Sequence, residues 1–206
     1  MNEFDIKAAV WDLNPMHFER SKAVASQIIE RIPLKSSMTA VEYGAGTGIT
    51  GFMLKEHFRE LLMIDNSPEM VRKMEEKIHS SKAENVKALL FDLENNEWKG
   101  ERFDLLITQM VLHHIPDTDN IIQKFHDILN PGGYLAIADL YPEDGSFHGE
   151  GFTGHRGFNP VLLSDMIRMK GFSDIEVRRC FAINKTASEN INRNFDVFLL
   201  TARKPE

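Results

Sequence analysis

Cysteine is almost absent from this chain: Cys180 is the single thiol in 206 residues. That excludes an intrachain disulfide framework and agrees with a reducing compartment; the residue itself reads as a buried strand thiol. Long apolar runs are also missing. None approaches the ~20 residues a helix needs to span a bilayer, so no membrane association is expected. Met1 to Val10 carries Glu3 and Asp5 and lacks the basic n-region and continuous apolar h-region of a secretion signal, which makes the expected location cytoplasmic. Positive charge is in short supply: 24 Lys and Arg face 31 Asp and Glu, for a formal charge of −7. Such a balance works against a field that would gather a polyanion, so nucleic acid is not an expected partner, a local basic patch aside.

What is present is ordinary for a folded protein. The hydrophobic fraction is 42% and the charged fraction 27%, close to globular averages. The length fits one domain, taken as residues 1–206, with 1–37 as an N-terminal capping segment and 141–158 as a loop insertion over the active site. Oligomeric state is left open.

Apolar residues Phe18, Ala23, Val24, Ile28 and Ile29 recur near helical spacing between Met16 and Ile32, and Pro33 stops the pattern. Thr39 to Tyr43 reads as a short buried strand, followed by a glycine-rich turn and a helical stretch from Ile49 to Phe58. Leu61 to Ile64 is a second strand. Ser67-Pro68-Glu69-Met70 then opens a helix, with serine at the cap and proline in the first helical position. Val86 to Phe91 and Phe103 to Thr108 are further strands. A helix from Asp119 to Leu129 leads through the turn Asn130-Pro131-Gly132-Gly133 into the strand Tyr134 to Leu140. Strands alternating with helices predict right-handed crossovers and a doubly wound, mostly parallel sheet covered on both faces. Tyr141 to Phe158 has no clear periodicity and reads as a loop over the ligand end of the sheet. A last helix, Pro160 to Lys170, precedes two strands near Ile175 to Asn184 and Asn194 to Ala202. With no helix between them, these are expected as an antiparallel hairpin at the sheet edge.

The strongest constellation is Val41-Glu42-Tyr43-Gly44-Ala45-Gly46-Thr47-Gly48, where a strand turns into a helix. Glycines there permit a tight turn and let a ligand approach the backbone. Asp65, at the end of the next strand, can accept hydrogen bonds from both hydroxyls of a ribose. Together they indicate an adenosine ligand. A dinucleotide site wants glycine or alanine at the sixth position of its fingerprint, and Ile49 stands there. A P-loop needs lysine then serine or threonine after its glycines, and Gly48-Ile49-Thr50 offers none. Glu42 at the mouth of the turn would repel a diphosphate and attract an ammonium group. A zwitterionic amino-acid tail fits better.

On these residues the sequence resembles the class I S-adenosylmethionine-dependent methyltransferases, in particular the small-molecule group. The resemblance runs from about Met38 to Leu140, through Glu42 to Gly48, Ile64-Asp65, Phe91-Asp92, and Phe103-Asp104 leading into Leu112-His113-His114. It implies a Rossmann-like sheet of seven strands, the last antiparallel, which the terminal hairpin would supply. It further implies S-adenosylmethionine as cofactor. Asp65 would hold the ribose, Asp92 the adenine amino group with Leu93 beside it, and Gly44, Ala45 and Gly46 the methionine portion near Glu42. Gln109 would offer backbone groups to the amino-acid tail, and Asn66 and Met70 would flank the adenine.

The opening Trp11 to His17 with Glu19-Arg20 resembles the leader that closes over the cofactor in some members. Arg20 would then meet the methionine carboxylate and Trp11 and His17 would line the acceptor pocket; a capping helix with solvated charges explains them equally well. His148, His155, Arg156 and Tyr141 lie in the insertion, either at the acceptor or in solvent. No metal is expected at His113-His114, because adjacent side chains point apart and no acidic or cysteine partner sits at ligand spacing.

Methyl transfer from a sulfonium is an in-line displacement that requires no nucleophilic residue; holding the acceptor close, aligned and dry is sufficient. If the acceptor is a hydroxyl, His114, His113, Tyr141 or His17 are candidate bases by location. The expected function is methyl transfer to a small molecule. The rivals are a non-catalytic module binding the same cofactor and a nicotinamide-dependent oxidoreductase. A nucleic-acid amino-methyltransferase is disfavoured, since Gln109-Met110-Val111-Leu112 stands where that type resembles Asn/Asp-Pro-Pro-aromatic.

Overall fold

The computed structural model describes residues 3–186 and 192–206; Met1 and Asn2 of the capping segment lie outside them. The strands are β1 (Thr39–Tyr43), β2 (Glu60–Asp65), β3 (Val86–Leu90), β4 (Phe103–Gln109), β5 (Leu129–Leu140), β6 (Ser173–Thr186) and β7 (Asn192–Arg203). They form one seven-stranded sheet in the order β3-β2-β1-β4-β5-β7-β6. Pairing is parallel from β3 to β5, and β7 runs antiparallel to both β5 and β6. The terminal hairpin therefore lies at the edge, as expected, with β6 the outermost strand and β7 inside it.

The helices are α1 (Glu3–Lys7), α2 (Pro15–Arg31), α3 (Ile49–Leu54), α4 (Pro68–Ser81), α5 (Thr118–Ile128) and α6 (Pro160–Met169). Three start as the sequence chemistry dictates. Asn14, Ser67 and Asn159 accept from backbone N–H groups of the first turn, and each precedes a proline that has no N–H to satisfy. Alternation along the strands sends side chains to two cores. Ala40, Leu105 and Ile107 pack with Val24 and Ile28 of α2, Leu54 of α3 and Met74 of α4. Val41, Tyr43 and Leu106 pack with Ile122 and Phe125 of α5 and Leu163 and Ile167 of α6. Burial on both faces is why these strands read as continuous apolar runs.

Several boundaries differ from the sequence expectation. The helix expected to reach Phe58 ends as α3 at Leu54 and tightens to a 3-10 turn at Lys55–His57, a common helix ending. Asn130 to Gly133 is not a separate turn; it is an irregularity within β5, where the pairing with β4 jumps from Phe103↔Leu129 to Leu105↔Tyr134. Asp104 braces this lower end by accepting from Thr39 N–H at 2.8 Å and Asn130 Nδ2 at 2.8 Å. Helix α1 has too few residues to show a period and was not anticipated.

Candidate active site

A cavity of about 630 Å³ opens at the C-terminal ends of β1, β2 and β4, where the strand order reverses between β1 and β4. Crevices at this switch point are the usual ligand sites of open α/β sheets. Its floor is the turn after β1. Gly44 has φ +68°, and a Cβ there would lie 2.3 Å from Val111 Cγ2, so no side chain fits. Met110, at the end of β4, holds the left-handed value φ 58°, and its N–H donates to Ala138 O at 2.8 Å. Local strain of this kind is concentrated at ligand sites.

Asp65 faces the cavity from the end of β2. Its Oδ2 accepts from Gly46 N–H at 2.7 Å and its Oδ1 from Ser67 N–H at 2.9 Å. Burial raises its pKa while these N–H groups oppose the shift. Asn66 and Met70 line the same region. Asp92 and Leu93 do not reach the cavity: Asp92 caps its own turn, accepting from Asn95 N–H at 3.2 Å and Asn95 Nδ2 at 2.7 Å, and Leu93 is core, 1% exposed. The acid that lines the cavity there is Glu94.

At the opposite end a smaller cleft runs under the turn past Glu42, Ala45, Ile49 and Thr50. Glu42 is 2% exposed and accepts from Gly51 N–H at 2.8 Å in the first turn of α3. Burial pushes its pKa up to about 8, so near neutrality it is largely protonated, not the fixed anion its position in the sequence suggested. Gln109 Nε2 donates to Ser21 Oγ at 3.0 Å, and the Thr50 hydroxyl lies 3.1 Å from Ser21 Oγ and 3.3 Å from Gln109 Oε1. Neither Ser21 nor Thr50 carried a signal in the sequence. Arg20 lines both spaces. It is 5% exposed, its Nε has no hydrogen-bond partner, and burial pushes its pKa down to about 10 against the attraction of Asp139.

The N-terminal segment covers the cavity. Thr47 Oγ1 donates to Asp12 Oδ1 at 2.5 Å, Lys77 Nζ lies 2.7 Å from Asp12, and Ser67 Oγ donates to Asp5 Oδ1 at 2.5 Å. The Trp11 and His17 rings lie 4.1 Å apart between their centroids and both line the cavity.

The remaining wall is made of histidines. The chain after β4 folds into a 3-10 turn, Leu112–His114. Instead of pointing apart, the His113 and His114 rings are tilted at 40° with centroids 4.3 Å apart. His148 from the insertion joins them, 5.0 Å from each. His113 is buried, and its Nδ1 lies 2.6 Å from Asp139 Oδ1 on β5. Asp139 was missed, although an acid ending an otherwise apolar strand was a visible signal. Burial first and neighbouring imidazoles second push His114 down to about 3 and His148 down to about 4.

The other insertion residues stand elsewhere. Tyr141 packs edge-on against Phe198 at 5.4 Å and does not line the cavity. The His155 ring meets Ile115 O at 3.0 Å, and the His155 backbone N–H donates to His113 O at 2.8 Å, anchoring the loop. Arg156 packs over Gly145. Cys180 is half-buried on β6 with its thiol pushed up to about 12, an inert strand thiol.

A family model described as a methyltransferase domain matches residues 34–157, more than half of the chain. Among curated proteins, an uncharacterized methyltransferase of Schizosaccharomyces pombe is 27% identical over 159 residues, covering 69% of this chain and 56% of that protein. The chain thus spans little more than half of that relative's length. The Haloferax volcanii chain solved in complex with the Trm112 methyltransferase activator superposes with a TM-score of 0.78 at 18% identity, covering 100% of this chain and 99% of that one. A Haemonchus contortus phosphoethanolamine N-methyltransferase, solved with phosphomonomethylethanolamine and S-adenosylhomocysteine, gives 0.71 at 20% identity, covering 88% and 52%. Both structures share the fold. With the glycine turn, the strand order and the family match in agreement, the chain belongs to the methyltransferase-domain family, the class I S-adenosylmethionine-dependent methyltransferases.

Proposed function

We propose that the chain binds S-adenosylmethionine in the switch-point cavity and transfers its methyl group to a small molecule. The observation that carries this reading is one continuous cavity with a ribose-type carboxylate, Asp65, and a buried guanidinium, Arg20, whose Nε has no hydrogen-bond partner among the described residues. An adenosine joined to a zwitterionic tail satisfies both. Asp65 would accept from the ribose hydroxyls, Asn66 and Met70 would flank the adenine, and Glu94 takes the edge position that the family pattern assigns to Asp92. Arg20 would pair with the tail carboxylate. Glu42 and the backbone near Gln109 would receive its ammonium group, which would draw the proton off Glu42.

When bound, the cofactor supplies an electrophilic methyl group. The chain's own residues hold the acceptor in line and exclude water, which can account for much of the rate. Trp11, His17 and the histidine wall border the acceptor end. Tyr141 stands outside the cavity, out of reach of an acceptor bound there. A volume of about 630 Å³ suits the cofactor plus a small acceptor.

Calorimetric titration with S-adenosylmethionine and S-adenosylhomocysteine, with nicotinamide dinucleotides as controls, tests the reading. Saturable binding of the sulfur ligands alone is expected; binding of the dinucleotides alone overturns it.

A further inference from the structure

We propose that His113, His114 and His148 form a binding site for a divalent transition cation of the zinc type, with its open position facing the acceptor end of the cavity. One ring nitrogen from each of the three lies within 4.8 Å of the other two. Nε2 of His113 and Nε2 of His148 are buried and have no hydrogen-bond partner. Buried imidazole nitrogens without a partner are costly, and two of them in one cluster of three point to a missing electron-pair acceptor.

The chemistry of the surroundings suits a cation and its first ligands. Imidazole nitrogen is a borderline donor that favours zinc and its neighbours over magnesium or calcium, and three histidines with an open fourth position are a known catalytic arrangement. Asp139 supplies the second shell. Its Oδ1 holds His113 Nδ1 at 2.6 Å and its Oδ2 accepts from His113 N–H at 3.2 Å, which fixes the ring's tautomer and direction. Phe147 and Phe152 collar the cluster, with Phe152 stacked on His148 at 3.9 Å. The apolar collar weakens competition from water for the ligands. The Lys185 ammonium donates to Phe147 O.

Metal–nitrogen arms of about 2.0–2.1 Å around a tetrahedral ion set ligand nitrogens ~3.4 Å apart, so the three rings must close slightly. His148 can supply that movement. It precedes Gly149, which has φ +86° and open space around its α-carbon. The use of the cation rests on the methyltransferase reading: an acceptor heteroatom bound at the open position would lose its proton to water more readily and meet the methyl group as an anion. Binding of the cation does not depend on that reading.

The test is titration of metal-stripped protein with Co²⁺, whose intense visible bands report four-coordinate nitrogen ligation, followed by displacement with Zn²⁺. A stoichiometric, zinc-displaceable band is expected in the wild type and in the surface variant His79→Ala. It should be lost in His148→Ala and His114→Ala, and Asp139→Asn should weaken affinity by about 10–100-fold. Circular dichroism on each variant separates loss of ligand from loss of fold. Absence of the band in the wild type, or its persistence in a folded His148→Ala protein, overturns the site. Calorimetry with S-adenosylmethionine on the same preparations keeps the two readings apart: cofactor binding without the band sinks only the metal site, and the band without cofactor binding sinks only the methyltransferase reading.

Discussion

Asp139 grips His113 twice, through the ring Nδ1 at 2.6 Å and the backbone N–H at 3.2 Å, and both residues are almost fully buried. Asp139 Oδ1 also accepts from Leu140 N–H at 2.7 Å. A single carboxylate thus joins the end of β5 to the turn after β4 and sets one wall of the cavity.

Removing that carboxylate leaves buried donors without partners, each costing about 1–3 kcal/mol. Asp139→Ala is expected to lower stability by roughly 3 kcal/mol or more, read as a shift of the urea unfolding midpoint at constant slope. A shift near zero would mean that the grip contributes little.

Asp65→Ala should weaken S-adenosylmethionine binding by at least about tenfold, the effect of one lost charge-assisted hydrogen bond, with the fold retained. Asp92→Ala should change affinity less than Asp65→Ala, because Asp92 is turned to Asn95 and away from the cavity. Calorimetry on both variants ranks them; a larger loss at Asp92 reverses the placement of the adenine.

Arg20→Met keeps the length of the side chain and removes its charge. Loss of a charged hydrogen bond of about 1.5–3 kcal/mol predicts roughly 10–150-fold weaker binding of S-adenosylhomocysteine. Methylthioadenosine, which lacks the amino-acid tail, should bind the variant and the wild type alike. The free variant should also unfold at a higher temperature, since a buried charge without a carboxylate partner costs stability. Equal losses for both ligands would remove Arg20 from the tail site.

Glu42 has a folded pKa raised from 4.5 to about 8 by burial. The unfolded chain releases this proton near 4.5 and the folded chain near 8. Its contribution to stability is therefore complete below the lower value and is lost as pH rises through the upper one. Relative to Glu42→Gln, the wild type should lose melting temperature as pH rises from about 4.5 to about 8. Parallel profiles for the two proteins would refute the assignment.

The legible part of the molecule was that governed by short-range rules. Ser67-Pro68 and Asn159-Pro160 start helices through contacts within the first turn, and Gly44 to Gly48 turns the chain because only glycine accepts those backbone angles without a clash. Asp65 could be placed because a strand end fixes where its side chain emerges. The misplacements arose where a side chain's direction depends on distant neighbours. Asp92 and Glu94 are both acids after β3, and only the path of that turn decides which one lines the cavity. Tyr141 directly follows β5, yet packing against Phe198 turns it away from the ligand.

By itself the sequence determined the alternation of strands and helices, the glycine-rich turn after β1 and the carboxylate beside it, because periodicity, capping and glycine chemistry act over a few residues. The tertiary structure alone decided that His113, His114 and His148 converge beside Asp139, that Arg20 is buried with its Nε unpartnered among the described residues, and that burial raises the pKa of Glu42. Each of those depends on segments far apart in the chain meeting in a low-dielectric interior, and desolvation there sets charge states that no local pattern encodes.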